Sequence, residues 1–443
     1  MRSSRRSLLG AAAALAGAGL AAPIATAHAT TMAAMPDVAM PDAEPFFGAH
    51  QGGIATPPQG HSYFAAFDLV ATQREEVIAL LRAWTEAAAR LARGLPAQPM
   101  DHPFHPVPEA AGADGYAAAR PRDMPDPATM PPDSGEALGL PPRRLTLTFG
   151  FGPGLFEKDG HDRYGLKAAR PAALVDLPVF PGDQLVAAST GGDLSVQACA
   201  DDPQVAFHAV RQLARIGDGA ARLRWTQSGF ALSGRKGETG RNLMGFKDGT
   251  NNIRTDDQAT MADHVWVGQE GPAWMQGGSY LVARRIRIAL EHWDRMRQAF
   301  QEQSFGRHKI SGAPLGETKE HAPLPLSAND KDGNPVIPEN AHVRLAAPET
   351  NNGAQMLRRP YSFNDGVAFT AERWPPWHQG MEYEAGLFFL AYQQDPRKAF
   401  IPMFERMSRF DMINQFTTHV GGGIFACPGG VQAGQFIGQG LFA

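Results

Sequence analysis

Cysteine is nearly absent: Cys199 and Cys427 are the only two in 443 residues. One distant pair is no disulfide framework, and two separate buried thiols are the expectation. His-Glu-x-x-His, Cys-x-x-Cys and Cys/His arrays are all missing, which excludes the usual zinc centres and thioether-linked cofactors. Net charge is small, since 41 Lys and Arg against 45 Asp and Glu leave −4. Nothing in that balance attracts nucleic acid or an anionic membrane surface. Beyond the N-terminus no apolar run is long enough to span a bilayer, so stable membrane insertion is not expected.

What is present begins with a targeting segment. Ser4-Arg5-Arg6-Ser7-Leu8-Leu9 is a twin-arginine pattern, an Ala/Leu/Gly-rich stretch runs from Leu8 to Ala22, and Ala27-His28-Ala29 fits a small-x-small cleavage site. Residues 1–29 therefore read as a twin-arginine signal peptide, with the mature protein in the periplasm or outside the cell. That route carries folded proteins, and suits a chain that takes up its cofactor before export. Residues 30–45 are Met/Pro/Ala-rich and read as a flexible linker.

The length allows two average domains or one large one. Tyr63 to Val70 reads as a strand, followed by a helix capped by Thr72 with Glu75 completing a capping box. Val77, Leu80, Leu81, Trp84, Ala88 and Leu91 share one face of that helix, and Gly94 stops it. Residues 96–142 are rich in Pro, Ala and Asp without periodicity and form an insertion. Strands follow at Leu145 to Phe151 and around Leu194, Val196 and Ala198, then a helix from Val205 to Ile216 and a strand from Arg222 to Gln227. The order is β-α-β-β-α-β, the ferredoxin-like unit.

The second half repeats it. A strand at Ser279 to Ile288 and a helix at Glu291 to Gln303 precede strands at Val367 to Ala371 and Leu387 to Tyr392. A helix at Arg397 to Met407 and a strand at Gly423 to Ala426 end the unit. The fold class is α+β, with residues 46–232 and 233–443 as two ferredoxin-like domains. Two loop-rich segments, Ser233 to Gly278 and Ser304 to Pro360, are where a site would be assembled.

Three pieces in those segments carry chemistry. Gly245-Phe246-Lys247-Asp248-Gly249 puts a carboxylate on a glycine-framed turn; Asp-Gly is also a common surface turn pair. Ala341-His342-Val343-Arg344-Leu345 sets one histidine in an apolar, strand-like run, as a core residue or as the single ligand of a haem iron. Arg358-Arg359 supplies guanidinium groups, which are either ion-paired at the surface or fixed positive charges beside a developing anion. A carboxylate and an arginine facing an iron-bound histidine are what peroxide cleavage at a haem requires. Asp395 has two readings as well: the carboxylate partner of a proximal histidine, or the N-cap of a helix with Pro396 at N1.

These residues lie in a wider pattern. Gly48-Ala49-His50-Gln51-Gly52-Gly53-Ile54, Asn242-Leu243-Met244 leading into the glycine-framed turn and Thr250-Asn251, Phe305-Gly306-Arg307, Leu357-Arg358-Arg359-x-Tyr361-Ser362 and Gly386-Leu387-Phe388-Phe389 occur in order. The chain resembles the dye-decolorizing peroxidases, in the exported subgroup that includes the deferrochelatase/peroxidases of iron uptake. Pro360, after the arginine pair, and the length of the 96–142 insertion depart from that family's pattern.

The resemblance implies a dimeric α+β barrel type of fold with one non-covalent haem b per chain, held in the C-terminal half. His342 would be the proximal iron ligand, and Asp248 and Arg358 the catalytic pair. Gly249, Thr250 and Asn251 would contact the haem, as would Ala347, Pro348 and Glu349. It implies reduction of hydrogen peroxide by way of a ferryl intermediate, with oxidation of dyes, phenols or another small reductant. Asp248 would be general base and then acid, favouring acid conditions. Trp266, Trp274, Trp374, Trp377 and Tyr383 are surface-oxidation candidates, each with a core role as the plain alternative. Deferrochelatase activity, or simple haem binding and delivery, are the alternatives. An iron-uptake system and a homo-oligomer are partners this pattern leaves open.

Overall fold

The computed structural model describes residues 42–99, 132–231, 238–371 and 379–443. Residues 1–41, which include the expected signal segment and most of the expected linker, lie outside the described residues, as do Trp374, Trp377 and most of the insertion.

The first half comprises β1 (His61–Leu69), α1 (Arg74–Leu91), β2 (Thr146–Phe151), the short α2 (Pro153–Phe156), β3 (Leu194–Ala200), α3 (Pro203–Ile216) and β4 (Ala221–Phe230). Its strands lie in the order β2-β3-β1-β4, all antiparallel. α1 buries the predicted face, Val77, Leu80, Leu81, Trp84, Ala88 and Leu91. Trp84 also donates from its indole N–H to the Leu213 carbonyl of α3 at 2.7 Å, so the two helices are locked together. Truncating Trp84 to Ala would cost about 3–5 kcal/mol. The cap of α1 is one residue later than its pattern suggests. Gln73 is the N-cap, and the reciprocal carboxylate is Glu76, which accepts from the Thr72 and Gln73 amides.

The second half comprises α4 (Gln258–His264), β5 (Ser279–Ile288), α5 (Leu290–Asp294), α6 (Gln298–Phe305), α7 (His342–Ala346), β6 (Leu357–Arg358), β7 (Tyr361–Ala371), β8 (Gln379–Gln393), α8 (Phe400–Phe410) and β9 (Thr417–Cys427). Its strands lie in the order β9-β5-β8-β7. This is the same arrangement as in the first half, so each half has the ferredoxin-like order. The expected helix at Glu291 to Gln303 is two helices. At the break the Trp293 carbonyl accepts from the Met296 amide, and the Gln301 carboxamide donates to the Trp293 and Met296 carbonyls. α8 starts at Phe400, later than expected, because residues 395–399 form a turn in which the Lys398 and Ala399 amides bond the Asp395 carbonyl.

The halves join into one nine-stranded sheet that closes on itself. At each seam a single residue pair is in register, Phe151 with Ala426 and Phe230 with Ser362. Closure explains β3, whose alternating sequence suggests one wet face while all seven residues are buried. One face meets the helices, and the other lines the barrel interior with polar Gln197 and Cys199. These find partners there: Tyr392 donates to Gln197 at 2.8 Å and Tyr361 to Cys199 at 3.4 Å. Cys199 and Cys427 are both free and buried, as expected. No helix among the described residues is long and apolar enough to cross a membrane.

Candidate active site

A cavity opens on the outer side of β8, in the second half. β8 alternates: Leu387 and Phe389 line the cavity, while Phe388, Leu390 and Tyr392 belong to the barrel interior. Ile286, Ile288, Met403 and Met407 extend the apolar lining.

His342 is the first residue of α7, not part of a strand. Ala341 is extended at the N-cap, and the Leu345 amide bonds its carbonyl. The turn fits because α6 ends at Gly306, whose φ is +82°. A Cβ at that position would come within 2.7 Å of Val343 and 3.2 Å of Ala341, so only glycine lets α7 pack this closely. The His342 ring lines the cavity, and its Nδ1 lies 2.7 Å from Asp411 Oδ2. Burial alone would pull the imidazole down, but Asp411 and the more distant Asp248 outweigh it and leave its pKa raised.

Asp248 sits on a loop shaped by Asn242, whose Oδ1 accepts from the Met244 and Phe246 amides. Gly249 adopts φ +123°, a conformation that other residues avoid. Arg358 Nη1 donates to Asp248 Oδ1 at 2.7 Å, and both residues line the cavity with His342. Lys247 and Thr250, on either side of Asp248, are both held by the Glu320 carboxylate. Burial would raise Glu320, but the bonds from Lys247, Thr239 and Thr250 bring it down to about 2. The loop also touches the histidine side: Phe246 stacks on Phe305 at 4.0 Å, and Phe305 lies 5.6 Å from the His342 ring.

Gly249, Thr250, Asn251, Ala347 and Pro348 line the cavity as expected. Glu349 does not: it is exposed on a short turn and is absent from the lining. Asp395 is not the histidine's partner either. Its carboxylate is taken by Arg397, through the backbone amide and the guanidinium, so of its two readings the capping role holds, for a turn rather than for α8. Arg359 points into the barrel, where its guanidinium bonds the Thr56 carbonyl and Gln59. Pro360 leaves the strand register intact, with Arg358 opposite Ala391 and Tyr361 opposite Phe388. Trp266 stacks on His50 and Trp274 packs against Phe151 and Phe156, whereas Tyr383 is half exposed.

Sequence reasoning missed Asp411, His419 and Asn252, and gave Arg307, named in the family pattern, no role of its own. Arg307 is buried at the cavity, and burial lowers its pKa despite the opposing pull of Glu320. His419 lines the cavity and accepts at Nδ1 from Arg284 Nε at 3.1 Å. Burial, then Arg284, push its pKa well below the usual value. Arg284 in turn pairs with Asp183. Among the described residues one other cluster could gather round a cation, Asp133, Glu136 and His208. Both His208 ring nitrogens already face carboxylates and Arg211 pairs with Glu136, so that cluster is charge-balanced without a metal.

The donor set suits one group. Of the two imidazoles at the cavity, His419 is engaged by Arg284, while His342, oriented by a carboxylate, faces a lining of largely apolar side chains with one carboxylate–guanidinium pair. That fits a flat metal macrocycle needing a single protein ligand, and not a bare metal ion needing three or four. Fold and site together define an α+β barrel enzyme with a carboxylate–guanidinium pair beside a cofactor pocket.

Family models described as Dyp-type peroxidase, N-terminal, and Dyp-type peroxidase, C-terminal, match residues 51–231 and 239–432. The chain belongs to the Dyp-type peroxidase family. It is 38 % identical over 408 residues to a dye-decolorizing peroxidase of Thermobifida fusca, covering 89 % of this chain and 84 % of that one. It is 35 % identical over 452 residues to the deferrochelatase of Escherichia coli, covering 99 % of this chain and 96 % of that one. Among solved structures it resembles ferric DtpA from Streptomyces lividans, with a TM-score of 0.76 and 38 % identity over 90 % of this chain and 97 % of that one.

Proposed function

We propose that the chain is a haem peroxidase that reduces hydrogen peroxide and oxidises dyes, phenols or other small reductants. The observation that carries this is the 2.7 Å Asp248–Arg358 pair lining the same cavity as His342. Bound haem would supply the iron at which the peroxide O–O bond is cleaved. His342 Nε2 would hold that iron, while Asp411 keeps the proton on Nδ1 and so directs the other lone pair to the cavity. Asp248 would accept the proton of incoming peroxide and return it to the departing oxygen. Arg358, whose charge is permanent, would stabilise negative charge on that oxygen and hold Asp248 in place. The apolar lining keeps bulk water from competing for these groups.

Release of iron from haem, with the porphyrin left intact, is the second reading, favoured by the similarity to a deferrochelatase along 99 % of the chain. A pure haem carrier would have no use for the Asp248–Arg358 pair. Mixing the haem-loaded ferric protein with peroxide separates the two. The peroxidase reading expects the resting Soret band to change within seconds and to recover on adding a phenol. Porphyrin fluorescence growing during incubation with haem, with no peroxide response, would support iron release instead.

The division into ferredoxin-like units near residues 232 and 233 is supported by the self-contained strand order of each half. Export by the twin-arginine route rests on the pattern at Ser4 to Leu9. Changing Arg5 and Arg6 to Lys should leave the precursor in the cytoplasm; unaltered export would sink that part.

A further inference from the structure

The Asp248–Arg358 pair bridges two elements that are 110 residues apart in sequence. Arg358 stands on β6, at the edge of the sheet order, while Asp248 stands on a loop outside the sheet. The guanidinium is about a quarter exposed, and an ion pair of that kind is too weak to fix a geometry unaided. Something else must hold the two backbones together.

β6 pairs with β8 on one side only, with Leu357 opposite Tyr392 and Arg358 opposite Ala391. The Arg359 amide bonds the Leu390 carbonyl on β8. In an antiparallel pair alternate residues turn their N–H and C=O to opposite sides, so those of Arg358 face the open edge. There they meet one side chain. Asn252 Nδ2 donates to the Arg358 carbonyl at 2.7 Å, and Asn252 Oδ1 accepts from the Arg358 amide at 2.9 Å. A single carboxamide makes both bonds that a neighbouring strand would make. It belongs to the Asp248 loop, where its own amide bonds the Gly249 carbonyl.

We propose that Asn252 is a positioning residue for the peroxide reaction: its side chain fixes the Arg358 backbone against the Asp248 loop and so sets how the guanidinium meets the carboxylate. Loop and strand have other anchors, Glu320 for the loop and Leu390 for the strand. Losing Asn252 therefore loosens the relation between them without dismantling the cavity. No other side chain makes the same pair of bonds: Asp lacks the donor, Ser is too short, and Gln carries an extra methylene. The inference rests on the peroxidase reading, so its test uses cyanide, which binds without turnover.

The experiment is a double-mutant cycle on haem-loaded ferric protein, read as the cyanide dissociation constant. Binding the cyanide anion from hydrogen cyanide needs a proton acceptor and a stabilising charge, the roles of Asp248 and Arg358. Asn252→Ala is expected to weaken cyanide binding about tenfold in the wild-type background. In an Asp248→Asn background the same change should shift it less than about twofold, because no carboxylate is left to position. Equal losses in both backgrounds would show a merely structural role and overturn the proposal, as would no loss in either. Should Asn252→Ala fail to keep haem, Asn252→Asp, of the same shape but without the donor, carries the test with the same expected pattern. A protein that binds cyanide as predicted yet ignores peroxide would overturn the peroxidase reading and leave the clamp standing.

Discussion

Asp411 Oδ2 lies 2.7 Å from His342 Nδ1, across 69 residues of sequence. The carboxylate is almost wholly buried, and its other oxygen accepts from the Ile413 amide, so it cannot swing away. This contact settles which imidazole nitrogen carries the proton, and so which is free for a metal.

Removing that partner should weaken cofactor retention. Asp411→Ala is expected to speed loss of haem to an acceptor globin by roughly 10- to 100-fold. Asp395→Ala should leave the rate unchanged, since its carboxylate serves Arg397. Equal effects from the two would refute the assignment of Asp411.

His342→Ala should abolish the Soret band of the purified protein or leave haem that washes out on gel filtration. An unchanged spectrum would mean that another residue binds the iron.

Asp248→Asn keeps the shape of the pair and removes the base. Haem content should stay at the wild-type level while the peroxide reaction slows by about 10²- to 10⁴-fold in stopped-flow mixing. A rate within a factor of two of wild type would assign proton handling to another group.

The cluster beside α3 should respond to pH. Burial opposes every charge there, yet Asp133 and Glu136 raise His208 above 6.5, while hydrogen bonds hold both carboxyls at about 2. A raised histidine contributes fully below 6.5 and loses its contribution as pH rises through the folded value. The depressed carboxyls contribute above 3.8 and 4.5, and lose it as pH falls towards about 2. Residues 133–136 should thus be most tightly held between those limits. Hydrogen exchange at the Gly135 amide, which bonds Asp133 at 2.7 Å, should accelerate on the alkaline side beyond the intrinsic pH trend. His208→Phe should remove that excess; an excess that persists would point elsewhere.

Much of the fold was legible because periodicity and order survive in the sequence. The apolar face of α1, β5 and the two β-α-β-β-α-β runs all followed from spacing. What failed depended on contacts between distant segments. His342 looked strand-like because Ala341 to Leu345 alternates, and only the seat at Gly306 shows why it starts a helix. Asp411 reads as an ordinary turn cap, which it also is through Ile413, and nothing in its neighbourhood announces a histidine. The Glu291 to Gln303 stretch has helical spacing throughout, and at its break the Gln301 side chain donates to the Trp293 and Met296 carbonyls. Asp248, His342 and Arg358 were each ambiguous alone, and the family pattern rather than the spacing joined them.

The seams of the barrel have a consequence for how such a chain can change. Each rests on one registered residue pair, Phe151 with Ala426 and Phe230 with Ser362. Backbone bonds outside the ladders add to them: the Gln184, Val186 and Gly191 amides bond the His419, Val420 and Gly422 carbonyls of β9. Interior side chains also match the halves, among them Tyr361 with Cys199, Tyr392 with Gln197 and Arg359 with Gln59. Two halves drawn from different relatives, or supplied as separate polypeptides, would be compatible or not according to these backbone bonds and interior contacts.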